Sequence, residues 1–241
     1  MENAARALFS QLQLLKLLKI LSFIVLLRVL VAIVAEYKFY FPPDFSADFL
    51  REREDSFFGL YALAFYVHII TSPFSLLNGL FLINQRLRAR FPAAHKGLGR
   101  LQIVLIGSTS VSGLAMSFRA DTGWAAGSAF ATLSFATLLC TLLGLRAVLQ
   151  QHTHLHQIWM TRSFVLLSSA VVLRLLSGLS IKLGLLATWT YPLYAWISWL
   201  LPLGILEIWR TAATHGNSNI SPPSTVFSPA TVSGEVSMPK K

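Results

Sequence analysis

Three histidines alternate in the segment 152–163, which reads HTHLHQIWMTRS. His152, His154 and His156 make up half of the six histidines in this chain of 241 residues. Imidazole nitrogens bind transition metals and haem iron, and in an extended segment the three side chains would face the same side. The segment contains no carboxylate or cysteine to complete a metal site, so the alternation alone is a compositional signal. The chemistry open to these residues depends on the elements that position them.

The composition indicates a membrane protein. Hydrophobic residues make up 54% of the chain and charged residues 12%, with a mean hydropathy of +0.61. A soluble domain carries about 25% charged residues, so this chain lacks the charge to cover a water-facing surface. The net charge of +10 raises nucleic acid as a partner. However, the basic residues flank apolar runs instead of forming one polar face, and we expect a lipid bilayer and no nucleic acid.

The apolar runs are long enough to cross a membrane as helices. A hydrocarbon core about 30 Å thick needs about 20 apolar residues in a helix, and lipid offers the backbone no other hydrogen-bond partner. We therefore predict an all-α, polytopic bundle of six transmembrane helices within a membrane domain of residues 14–211. An amphipathic segment over 1–13 and a disordered cytoplasmic tail over 212–241 would flank it. The predicted spans are 14–36, 57–83, 100–118, 124–148, 160–181 and 185–208.

The loop charges predict the orientation. The loop between the second and third spans, counted together with Arg100 at the start of the third, carries five basic residues and no acid, whereas the loop over 37–56 carries five acids. Because Lys and Arg concentrate in cytoplasmic loops, both termini should lie in the cytoplasm and the acidic loop outside. We expect a multi-pass protein of a bacterial inner membrane.

Two histidines occupy similar positions before two of the spans. His95 precedes Arg100 by five residues, and His156 precedes Arg162 by six. Both histidines are expected near the cytoplasmic face on two helices, which is the arrangement that bis-histidine ligation of a haem requires. We therefore predict His95 and His156 as ligands of the iron of one haem b. Arg100 and Arg162 would pair with its propionates.

Three ionisable residues fall deeper in the predicted spans. Arg28, His68 and Arg174 come from three helices and lie at similar depths when counted at about 1.5 Å per residue. Ionisable groups inside a membrane are costly, and most have a function. With no carboxylate at that level, the arginines would suit an anionic ligand. The alternative is that the arginines snorkel to the interface and that His68 is a hydrogen-bonded core histidine.

Two motifs resemble those of a family of bacterial multi-pass membrane proteins, known as domain of unknown function 2306. HKGLGR at 95–100 is similar to its H-x-x-x-G-R motif, and HQIWMTRS at 156–163 to its H-x-x-W-M-x-R-S motif. Arg174 resembles an arginine that recurs in the family's following helix. The similarity covers roughly residues 60–180. It implies a multi-pass membrane fold and this set of site residues, and it implies no activity.

Functions of different classes fit these residues. One is electron transfer through a single haem, with a quinone near His68 and Arg174; a second haem would need more outer ligands than His68. The other is a haem-free transporter or binding protein, in which His68, Arg28 and Arg174 hold an anionic small molecule. A structural membrane subunit is a third possibility. No nucleotide-binding motif, Ser/His/Asp set or H-E-x-x-H motif occurs, which disfavours nucleotide-driven or hydrolytic chemistry.

Overall fold

The computed structural model describes residues 2–218 except 48, 52, 121 and 186. The regular structure of these residues is helical, with a short 3₁₀ helix, Glu36–Phe39, after the first long helix. Residues up to Ile205 form one compact unit, and Leu206 begins a second one. The helices are α1 Glu2–Ala35, α2 Leu60–Ile83, α3 Gln85–Arg90, α4 Pro92–Ser117, α5 Trp124–Leu149, α6 Thr153–Leu167, α7 Ser169–Lys182 and α8 Thr190–Ser218.

The described residues contain six segments that are long and apolar enough to cross a membrane. This confirms the prediction of an all-α protein with six spans. Large apolar side chains are exposed along each segment, as expected where lipid replaces water around the helices. The segments are Phe9–Phe39, Leu60–Ile83, Pro92–Ser117, Trp124–Leu149, Thr153–Lys182 and Thr190–Ala213.

Four helices form the part of the fold that positions the histidines. α4 packs against α2 and α5, while α6 packs against α5 and, over a smaller contact, against α2. α4 and α6 therefore stand diagonally opposite each other, and so do α2 and α5. α1 packs against α7. Residues on diagonal helices can face each other across the interior, which makes these pairs the natural places for a ligand between helices.

The third and fifth spans begin earlier than predicted. α4 starts at Pro92 and α6 at Thr153, so His95 and His156 lie inside these helices, whereas the predicted spans begin after them. The hydropathy rule locates only the part of a helix that lies in hydrocarbon, and a helix continues into the interface as long as its backbone bonds are satisfied. Pro92 favours the start of α4, because proline has no N–H to leave unpaired in the first turn.

The fifth span is two helices where the sequence predicted one. α6 ends at Leu167 and α7 begins at Ser169, with Ser168 between them. The Ser168 hydroxyl donates to the Val165 carbonyl at 2.7 Å. Such a bond from a serine back to the preceding turn bends a helix. The break therefore lies inside a membrane span, where irregular backbone is tolerated only when protein or a cavity surrounds it.

The predicted terminal segments differ from the helices found there. α1 begins at Glu2 and continues without a break through residues 13 and 14, so the N-terminal segment and the first span form one helix. α8 extends to Ser218, past the predicted start of the tail at residue 212. The remainder of the predicted tail, residues 219–241, lies outside the described residues.

Candidate functional site

His95 and His156 lie at the same end of the two diagonal helices. Each is the fourth residue of its helix, α4 or α6, and each is half-buried. The first turn of a helix carries a partial positive charge, so both rings stand where negative groups are stabilised. By contrast, His152 and His154 are exposed.

The ring of His156 is held in one orientation. Its Nδ1 lies 2.8 Å from the carbonyl oxygen of Gly144 on α5. Since a carbonyl can only accept, Nδ1 carries the proton of the neutral ring, and Nε2 keeps a free lone pair. A histidine that ligates a metal is oriented in this way, by a bond from its other ring nitrogen.

Arg88 on α3 lies near His95 and contacts Gln157, the residue that follows His156. In the amide orientation that satisfies both side chains, the Gln157 oxygen accepts from two nitrogens of the Arg88 guanidinium at 2.9 and 3.2 Å. The ring of His95 interacts electrostatically with both Arg88 and His156. We call Arg88, His95, His156 and Gln157 the paired-histidine cluster. Arg88 was not predicted as a site residue, because in the sequence it is one of several arginines of a basic loop.

The two predicted arginines are placed differently from Arg88. Arg162 is half-buried, and its guanidinium lies 4.5 Å from the centre of the Trp159 ring. Arg100 is exposed on α4. At about 100° per residue, five residues of helix separate Arg100 from His95 by about 140° around the axis. The structure therefore brings Arg88 towards the histidines and leaves Arg100 on another face.

The second histidine motif has a packing role on α5. A Cβ atom on Gly144 would lie 2.7 Å from the Met160 sulfur and 3.4 Å from the Trp159 Cβ. Only glycine allows α6 to approach α5 this closely without a shift, and the same glycine supplies the carbonyl that holds His156. Trp159 and Met160 of the motif thus pack α6, the helix that carries His156, against α5.

A second polar region lies deeper in the helices, in a cavity of about 120 Å³. We call it the His68 cavity. Nδ1 of His68 lies 3.1 Å from the Thr109 carbonyl and 3.3 Å from the Ser112 hydroxyl. The carbonyl again places the ring proton on Nδ1, which leaves Nε2 as an acceptor. The hydroxyl-bearing residues that line the cavity are Ser72, Thr109, Ser110, Ser134, Thr137 and Ser169.

Gly113 lets His68 and Ser134 pack over α4. A Cβ atom there would lie 2.9 Å from the Ser134 hydroxyl and 3.1 Å from Cε1 of His68. Ser169, next to the break between α6 and α7, also lines the cavity. The break therefore coincides with the cavity wall, and a sequence-based search for long apolar runs detects neither feature.

Arg28 and Arg174 are not among the residues that line the His68 cavity. Both are exposed. Burial and the neighbouring Glu36 raise the pKa of the Tyr40 phenol, and the charge of Arg174 opposes that rise, which places Arg174 near this tyrosine. Of the three residues predicted to share one ligand site, the structure brings only His68 to the cavity.

Among the described residues, no group of three or more His, Cys, Asp or Glu side chains could hold a metal ion.

A family of sequences described as "Predicted membrane protein (DUF2306)" matches residues 65–210, a range that contains both histidine motifs. The chain belongs to this family. No curated protein and no solved structure matches the chain. Family membership supports the multi-pass fold, and any activity has to be argued from the residues themselves.

Proposed function

We propose that the protein binds one b-type haem at the paired-histidine cluster and transfers electrons within the membrane. The observation that supports this proposal most is the pair of half-buried histidines, His95 and His156. Each lies in the first turn of its helix, and the two turns are at the same end of the diagonal helices α4 and α6. Two imidazoles on different helices are a recurrent ligand set for a membrane-bound haem. We place this function in a bacterial inner membrane.

The donor atoms of the cluster have the chemistry that haem iron and propionates require. Nε2 of His156 is free to bind iron, because the Gly144 carbonyl holds the opposite ring nitrogen. His95 would supply the second nitrogen from α4. Arg88 and the first turns of α4 and α6 would hold the propionates, since both offer hydrogen-bond donors and positive charge. A haem in this position supplies reversible one-electron chemistry.

The space beside His95 limits how the group could bind. A cavity of about 130 Å³ is lined by His95, Arg88 and apolar residues of α2, α3 and α4. Pockets that hold ligands of drug or cofactor size measure about 300–1,000 Å³. The short helix α3 covers this cavity through Leu87 and Arg88, so it would have to move to admit a macrocycle. Within the described part of the chain, α3 packs against α2 and α4, its neighbours in the chain.

The alternative function, binding or transport of an anionic molecule by His68, Arg28 and Arg174, has less support. The residues that line the His68 cavity carry no formal charge, and the two arginines are exposed. An anion in this cavity would leave water without a counter-charge, which costs several kcal/mol or more. The structural-subunit alternative predicts a colourless protein.

An absorption spectrum tests the proposal. The full chain is purified from haem-replete cells, and reduced-minus-oxidised spectra are recorded for the native protein and three variants. We expect a b-type spectrum that His95→Ala and His156→Ala abolish and that His152→Ala preserves. His152 is the matched control, because it lies in the same segment and is exposed. Native protein that is well folded and colourless would contradict the proposal.

A further inference from the structure

We propose that the His68 cavity binds the headgroup of a lipid-soluble hydroquinone, held by hydrogen bonds from one ring hydroxyl to His68 and Ser110. This site is separate from the haem site. None of its lining residues belongs to the paired-histidine cluster, so the proposal does not rest on haem binding.

The first observation is an unpaired hydroxyl in the cavity wall. Ser110 is 4% exposed, lines the cavity and has a side-chain oxygen without a hydrogen-bond partner. A buried hydroxyl without a partner is unfavourable, so a ligand group that reached this serine from the cavity would supply the missing hydrogen bond. Nε2 of His68 is the second open position, because Nδ1 carries the proton.

The hydrogen-bonding pattern selects the chemistry of the ligand. The Ser110 hydroxyl can donate, and the unprotonated Nε2 of His68 can accept. A ring hydroxyl accepts from the first and donates to the second, whereas a quinone carbonyl can only accept. With a quinone, Nε2 would stay unpaired, so the site should prefer the hydroquinone.

The size and the remaining wall of the cavity also fit one neutral ring. Its volume of about 120 Å³ is close to that of a cavity of about 150 Å³ known to bind benzene. Leu30, Pro73 and Leu166 contribute apolar surface, and no charged residue lines the cavity. A neutral, partly apolar molecule is therefore favoured over an ion. Ala170 lines the cavity and is exposed, which marks an approach from the bilayer.

Binding of three probes to the full chain in nanodiscs tests the proposal. The probes are 2-decylhydroquinone under argon, 2-decyl-1,4-benzoquinone, and para-decylbenzoate, which keeps a single ring and the tail but carries a charge. We expect 2-decylhydroquinone to bind tightest and para-decylbenzoate weakest. Ser110→Ala should weaken 2-decylhydroquinone binding about 3- to 10-fold, the equivalent of one net hydrogen bond. His68→Leu should remove the preference for 2-decylhydroquinone over 2-decyl-1,4-benzoquinone.

Ser177→Ala is the matched control. Ser177 also has a buried hydroxyl oxygen without a partner, but it does not line the cavity, so its removal should leave binding unchanged. Equal affinities of the Ser110→Ala and Ser177→Ala variants would overturn the proposal. Tighter binding of para-decylbenzoate than of 2-decylhydroquinone would also overturn it. The comparison remains valid if His68→Leu does not fold, because Ser110→Ala removes a single atom that has no partner.

Discussion

Two regions of this protein present a histidine to an interior space, and they differ in their surroundings. In the paired-histidine cluster, two rings lie in first turns of helices, and the ring of His95 lies near the charge of Arg88. In the His68 cavity, one ring lies in mid-helix among hydroxyl and apolar side chains. In both regions a backbone carbonyl fixes the tautomer, through Gly144 for His156 and Thr109 for His68.

The difference teaches that the surroundings, more than the histidine, select the ligand. The same neutral imidazole offers Nε2 in both places. Positive charge and helix N-termini suit the acidic groups of a haem, whereas a wall of hydroxyls and hydrocarbon suits a neutral ring. Four predictions test this contrast, from the largest expected effect to the smallest.

The largest expected effect is on the activity of a reporter enzyme, which depends on the side of the membrane to which it is fused. If both termini and the paired-histidine cluster are cytoplasmic, alkaline phosphatase fused after His215 should be inactive, since the enzyme matures only in the periplasm. Fusion after Ala120, between the third and fourth spans, should be active. The measurement is enzyme activity in intact cells at matched expression. Activity at His215 would mean that the orientation is reversed or the number of spans is odd.

Placing a lysine at each histidine compares the two electrostatic environments. His68→Lys should destabilise the protein by about 2.5–3.5 kcal/mol, the insertion cost of a charge at the centre of a membrane helix. His95→Lys should cost less than about 1 kcal/mol, because a half-exposed side chain near a helix end can reach water. Denaturant unfolding in detergent measures both. Equal losses in the free energy of unfolding for the two variants would contradict the proposed difference between the two environments.

Replacing a glycine with alanine tests how closely the His68 and His156 rings depend on the packing of neighbouring helices. Gly113→Ala should cost about 1–3 kcal/mol, because its Cβ would crowd His68 and the short Ser134 side chain. Gly144→Ala should cost less, since the Met160 side chain that it meets is flexible. Gly107→Ala is the control, with no atom near the added Cβ. Thermal unfolding should rank the three variants in this order, and a Gly107→Ala loss as large as that of Gly113→Ala would contradict the packing argument.

The smallest expected change in stability comes from replacing one of two arginines, Arg88 or Arg174. Arg88→Leu removes the contact with Gln157 and should cost about 0.5–1.5 kcal/mol while lowering haem content. Arg174→Leu should leave the protein as stable or more stable, because Arg174 is exposed and a charged side chain within a membrane span is costly. Both variants are measured by thermal unfolding and haem content. Loss of haem in Arg174→Leu but not in Arg88→Leu would reverse the assignment.

The sequence alone determined the class of the protein and the number of spans. Apolar runs of sufficient length can be satisfied in lipid only as helices, so composition predicts the fold class without tertiary information. The two histidine motifs were also visible, and they lie within the residues that match the family. The charge pattern of the loops predicts an orientation that the fusion experiment tests.

Only the tertiary structure decided which residues meet. Arg88 on α3 reaches Gln157 on α6, and spacing along one chain does not encode contacts between helices. His95 and Arg100 are close in sequence, but α4 turns them to different faces. The His68 cavity draws its wall from six helices and forms at the break next to Ser169. Hydrophobicity selects what enters the membrane, whereas the packing of glycines and hydroxyls against neighbouring helices decides where a ligand can fit.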